Sequence, residues 1–186
     1  MKKFIIPTAL FASILFISSC KKFDEGESND EEVITTMKLD FTPVGGGATQ
    51  SFKFEDLDGP GGNVPVIDNI SLAAGTTYNV SVELWNNSAV PPENITEEVE
   101  QENEAHRFYY TASAGSTITV SNLNNDNNGV PLGTTSTWTV GAASAGTINV
   151  ILRHYPGTPP DKQASDPVTS PKSGTDIDVT FNYTIL

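Results

Sequence analysis

Residues 176–186 read DIDVTFNYTIL, with Ile177, Val179, Phe181, Tyr183 and Ile185 at every second position. A period of two puts those five side chains on one face of an extended strand and leaves Asp, Thr and Asn on the other. The pattern recurs upstream. Val33, Thr35, Met37, Leu39 and Phe41 alternate with Thr36, Lys38 and Asp40, and Gly45-Gly46-Gly47 turns the chain into Gln50–Phe54, where Phe52 and Phe54 share a face. Ile67–Leu72 follows, then Thr77–Leu84 with Tyr78, Val80, Val82 and Leu84 in register. Phe108 with Tyr110, Ile118 with Val120, Trp138 with Val140, and Ile148 with Val150 and Leu152 complete the series. About nine strands over residues 33–186, joined by Gly-, Pro-, Asn- and Ser-rich turns, predict a single antiparallel β-sandwich domain.

The stretch Leu72-Ala-Ala-Gly75-Thr-Thr-Tyr78-Asn-Val80-Ser-Val82 resembles the Leu-x-Pro-Gly-Thr-x-Tyr-x-Val-x-Val segment of fibronectin type III domains. The resemblance implies an immunoglobulin-like topology in which Tyr78 opens a strand and bonds back across a corner. It implies no activity, since that fold hosts many. One segment breaks the β pattern. Residues 91–106, PPENITEEVEQENEAH, carry two prolines, an N-cap at Asn94 and Glu97 three residues later, the spacing of a capping box. With Ile95 and Val99 as its only apolar stripe, it reads as a short acidic surface helix of three turns inserted between two strands.

The 186 residues carry 10 Lys and Arg against 23 Asp and Glu, a net charge of −13. No basic patch exists outside the N-terminus, which excludes nucleic acid as a partner. Residues 1–19 read as a signal peptide: Lys2 and Lys3 precede an apolar run from Phe4 to Ser18, too short to span a bilayer core. It ends in Ile17-Ser18-Ser19-Cys20, which looks like a bacterial lipobox with Cys20 as the lipid attachment site. Cleavage there leaves 8 cations against 23 anions, or −15. Cys20 is the sole cysteine, so its acylation leaves no thiol for disulfides, metal or catalysis. Residues 20–32 add six carboxylates and two lysines in KKFDEGESNDEE, an extended, solvated tether. Such an acidic segment resembles the signal that sends Bacteroidota lipoproteins to the outer face of the outer membrane.

The chain carries two histidines, His106 and His154, 48 positions apart. At helical spacing Glu98, Glu102 and His106 share a stripe. Imidazole with carboxylate suits zinc or copper, and strands that bring the histidines together at one end of the sandwich would form a site with Glu102 and Glu104. The competing reading is a solvated acidic face with two strand-end histidines. Asp56 and Asp58 on a Gly-rich turn, and Asn124-x-Asp126-x-Asn128-Gly129, have calcium-like oxygen spacing, although such turns are rich in Asp and Asn for backbone reasons alone. Trp85, beside Asn86 and Asn87, reads either as a core residue or as a sugar-stacking platform. No Gly-x-Ser-x-Gly, phosphate-binding loop or His-Glu-x-x-His occurs, so binding rather than catalysis is expected.

Across residues 17–186 the chain resembles a family of Bacteroidota outer-membrane lipoproteins. The stretches that carry the resemblance are EEVITTMKLDFTPVGGG, GGNVPVI, ITEEVEQENEAHRFYY, VILRHYPG and TDIDVTFNYTIL. It implies a histidine at each of the positions of His106 and His154, and a place beside a TonB-dependent outer-membrane receptor. Some members are labelled with the type 1 periplasmic binding fold; the period-two pattern here implies a sandwich instead, since that fold alternates strands and helices over a far longer chain. The expectation is a lipid-anchored surface protein that captures a metal ion or metal complex, the alternative being an adhesive or structural module that meets protein or glycan through its loops.

Overall fold

A computed structural model of the protein describes residues 32–186. The signal stretch, Cys20 and the tether through residue 31 lie outside the described residues. Eleven strands and one helix follow in the order β1 (Thr36–Pro43), β2 (Gln50–Glu55), β3 (Val66–Ile67), β4 (Ile70–Leu72), β5 (Thr77–Asn86), β6 (Glu93–Asn94), α1 (Ile95–Gln101), β7 (His106–Ala112), β8 (Ile118–Ser121), β9 (Thr135–Val140), β10 (Ser144–His154) and β11 (Gly174–Ile185). One sheet runs β3-β2-β1-β5-β9-β8 with β6 also on β5, and the other runs β4-β11-β10-β7.

The all-β sandwich expected from the period of two is the fold observed. Its inner faces meet in one core that includes Met37, Leu39, Phe41, Val80, Val82, Leu84, Val150, Leu152, Val179 and Phe181. Phe41 stands edge-on to Trp138 with centroids 5.1 Å apart, an arrangement favoured by the ring quadrupoles. Trp138 is the core tryptophan, whereas Trp85 lies half-buried on the outward side of β5. Leaving aside the N-terminal hairpin, β5-β9-β8 and β7-β10-β11 follow the B-E-D and C-F-G order of immunoglobulin-like sandwiches. Tyr78 does open a strand, and its hydroxyl accepts a bond from the Ala73 amide at 3.1 Å.

Three details differ from expectation. The stretch 67–72 is two strands in different sheets, because Asp68 closes onto Lys53 through bonds of 2.9 Å and the chain then crosses. After the crossing, Ile70 and Leu72 are buried and β4 pairs with β11 in parallel, so the sandwich is not wholly antiparallel. The helix has two turns, not three. Asn94 caps it by accepting from Thr96, but Glu97 reaches the Asn94 side chain at 3.1 Å rather than its backbone. Ile95 and Val99 are its buried residues, and with Glu102 and Asn103 next in line no third apolar turn exists to hold it down. His106 therefore starts a strand instead of ending a helix.

Candidate metal centre

Alternation along β7 and β10 turns Phe108 and Leu152 into the core, and the same parity carries His106 and His154 inward at the end of the sandwich. The two are direct partners in the β7–β10 ladder. Their rings lie 4.4 Å apart, centroid to centroid, tilted by 31°. Behind α1, a turn closed by the Ala105 amide on the Glu102 carbonyl returns Glu102 to the same place. Donor atoms of Glu102, His106 and His154 all lie within 4.8 Å of one another. Three of the four residues the sequence nominated are thus brought together, although by a turn and a ladder rather than by a helical stripe.

His106 is fully buried, and its Nδ1 lies 3.2 Å from the carbonyl oxygen of Glu102. A carbonyl only accepts, so Nδ1 carries the proton and Nε2 of the neutral ring presents a lone pair. Burial, reinforced by the neighbouring His154 and by Lys162, pushes His106 down to about 4, with the Glu102 carbonyl acting against this. Burial lowers His154 as well. Both imidazoles are neutral near pH 7, the form that binds metal. Neither His106 Nε2 nor His154 Nδ1 makes a hydrogen bond.

Outside this cluster opens a cavity of about 630 Å³, bounded by α1, the end of β5 and the long segment 155–160. Glu32, Glu93, Glu98, Glu102 and Glu104 line it, with no lysine or arginine among the described residues. Burial and the nearby carboxylates of Glu98 and Glu102 raise the Glu32 carboxyl to about 7. Crowded carboxylates of this kind attract cations. Glu104 lines the cavity but, among the described residues, does not join the three-donor group; its charge bears on Lys162.

The calcium-like loops lie elsewhere. Asp58 accepts from the Asn63 amide at 2.9 Å and from its side chain at 2.6 Å, which holds its carboxyl low and closes the turn on itself. Asp56, two residues before it, donates its amide to the carbonyl of Thr35, just ahead of β1. Asp126 meets not a free ion but the Lys162 ammonium, at 2.8 Å with both side chains 1% exposed.

Two residues important here were absent from the sequence reading. Asp176, at the start of β11, is buried with its carboxylate 3.7 Å from His106 Nε2 and 4.0 Å from His154 Nδ1. Lys162 donates to the carbonyls of Asn103 and His106 at 2.6 and 2.7 Å, pinning the backbone that carries the first histidine. In comparisons with known proteins, no family model, no curated protein and no solved structure matches the chain.

Proposed function

We propose that the protein is a lipid-anchored outer-membrane protein, displayed at the surface, that captures a divalent transition-metal ion or a small complex of one as an accessory to a TonB-dependent receptor. The observation that carries the metal is the meeting of Glu102, His106 and His154 within 4.8 Å, with both rings held neutral. Imidazole and carboxylate select zinc, copper and their neighbours over calcium or magnesium. The acidic cavity supports capture from outside, since it draws cations towards the cluster and its volume exceeds that of a hydrated ion. The anchor and address rest on the Lys2-Lys3 start, the apolar run and the lipobox at Cys20, followed by the acidic tether.

Calorimetric titration of the purified protein with Zn²⁺ and Cu²⁺ tests this. One equivalent bound by the wild type and lost in both His106→Ala and His154→Ala is the expected result. Binding no tighter than millimolar, about −4 kcal/mol, removes the metal reading.

A second reading, an adhesive module without metal, is favoured by one feature. Leu57, Val64, Val66 and Ile67 are exposed in and just before the short edge strand β3. An apolar edge of this kind is where a partner chain would add. It predicts partner binding indifferent to both histidine substitutions.

A further inference from the structure

His106 Nδ1 is committed to the Glu102 carbonyl at 3.2 Å, so the only nitrogen this ring can offer a metal is Nε2. Nε2 does not look towards the cavity, whose lining includes His154 but not His106. It looks towards Asp176, 3.7 Å away, and the same carboxylate stands 4.0 Å from His154 Nδ1. Both nitrogens lack hydrogen bonds. Two ring nitrogens and the Asp176 carboxylate thus face one buried space from three neighbouring strands, the convergence of donors that a bound cation exploits.

The distances say which kind of cation. A shared proton would draw nitrogen and oxygen to about 2.8 Å. Donors around a tetrahedral ion with bonds near 2.0–2.2 Å stand about 3.4 Å apart. The observed gaps of 3.7 and 4.0 Å, to the two different oxygens of Asp176, lie beyond both values, and Asp176 stands outside the three-donor group, so its carboxylate moves inward when an ion is bound. The backbone is shaped for this. Leu152 pairs with Ile177 and Arg153 with Thr175, so Asp176 is the extra residue of a β-bulge at that point. Simple alternation from Ile177 would send Asp176 outward; the bulge re-aims its side chain to the buried inner side.

We propose that Asp176 is a direct ligand of the metal, so that His106 Nε2, His154 Nδ1 and the Asp176 carboxylate form the inner face of the centre and Glu102 closes it from the cavity side. Two neutral imidazoles and two carboxylates make a neutral assembly with a divalent ion, the charge balance a buried site needs. This ligand set takes borderline ions such as Zn²⁺, Cu²⁺ and Ni²⁺, and Asp176 sets the geometry while Glu102 is the ligand that opens for exchange with the cavity. The inference rests on the proposed metal function and adds a ligand to it.

The test compares wild type, Asp176→Asn and Glu102→Gln by Zn²⁺ calorimetry and Cu²⁺ electron paramagnetic resonance. Asp176→Asn is expected to weaken Zn²⁺ by about a hundredfold or more and to alter the Cu²⁺ spectrum, since removal even of a group that only supports a ligand costs 10–100-fold. Wild-type protein carrying ¹³C-carboxyl aspartate is expected to show a ¹³C coupling to bound Cu²⁺. That readout stands even where Asp176→Asn does not fold. If wild type binds metal but the coupling is absent, or Asp176→Asn binds with unchanged affinity and spectrum, the Asp176 assignment is overturned while the His106–His154 reading survives. If wild type binds neither ion, both are overturned.

Discussion

His106 and His154 stand opposite each other in the ladder between β7 and β10, rings 4.4 Å apart, each the last inward side chain of its strand. The positions on the same face one step inward are Phe108 and Leu152, both core residues. Two imidazoles there, with Nε2 and Nδ1 lacking hydrogen bonds, cost the metal-free protein stability, because a buried polar atom without a partner carries its desolvation penalty. His154→Leu extends the apolar layer and is expected to stabilise the metal-free chain by about 1 kcal/mol while abolishing metal binding. Urea denaturation in the presence of a chelator measures it. A loss exceeding about 2 kcal/mol, the scale of a broken core contact, would show that the pair is structural.

The Glu32 carboxyl gives the protein a pH dependence of definite sign. Burial first, then Glu98 and Glu102, raise it from 4.5 to about 7 in the folded chain. The folded state therefore holds a proton that the unfolded state has released between those values. Its contribution is fully present below the unfolded pKa and is lost as pH rises through about 7. Glu32→Gln cannot ionise, so its stability curve should stay flatter than wild type between pH 5 and 8, with the gap widening upward. Denaturant midpoints in chelator at four pH values settle this; parallel curves refute it.

The sandwich was legible because period-two alternation survives in almost every strand, from Met37, Leu39 and Phe41 to Phe181, Tyr183 and Ile185. Both histidines could be placed near strand ends from Phe108 and Leu152 outward. Their pairing could not, because register between β7 and β10 is fixed across intervening strands of the other sheet. Asp176 was hidden by the same alternation that revealed its strand, since a bulge reverses the expected parity. Lys162 sits in TPPDKQAS, which reads as a solvated loop. What buries it is a set of long-range bonds: Arg107 to the Gln163 carbonyl at 2.9 Å, Tyr109 to the Asp166 carbonyl at 3.0 Å, and Arg153 to Ser173 Oγ at 3.0 Å.

Gly133 separates two effects that glycine substitutions usually mix. Its φ is +87°, and a Cβ there would stand 3.0 Å from Leu123 Cδ2 and 3.1 Å from Phe108 Cβ. Gly129, in the same loop, has φ +80° but open space around it. Gly129→Ala should cost about 1 kcal/mol for the backbone conformation alone. Gly133→Ala should cost about 2–3 kcal/mol, the excess reflecting crowding against the strand that carries His106. Thermal unfolding of the two variants side by side measures the difference, and equal shifts would rule out the crowding.

Lys162 occupies the place beside Asp126 that a calcium ion would take. Its ammonium reaches Asp126 at 2.8 Å and the carbonyls of Asn103 and His106 at 2.6 and 2.7 Å, so all three protons are used. Asp126 also accepts from the amides of Asn128 and Val130, both at 2.8 Å. Burial pushes its carboxyl upward, but Lys162 and these amides prevail and hold it below the usual range. Lys162→Met would strand that carboxylate in a site 1% exposed, at a cost of about 3–5 kcal/mol. Adding Asp126→Asn should recover a good part of the loss, because the amide needs no counter-charge, and a double-mutant cycle reads the coupling directly. Calcium should shift the melting point of neither wild type nor Asp126→Asn. A calcium-dependent rise in wild type alone would mean that the ion displaces the ammonium. The Lys162→Met chain should also bind Zn²⁺ more weakly, since the bond to the His106 carbonyl fixes the backbone from which that imidazole projects. Loss of stability with Zn²⁺ affinity unchanged would place the clamp outside the metal centre's support.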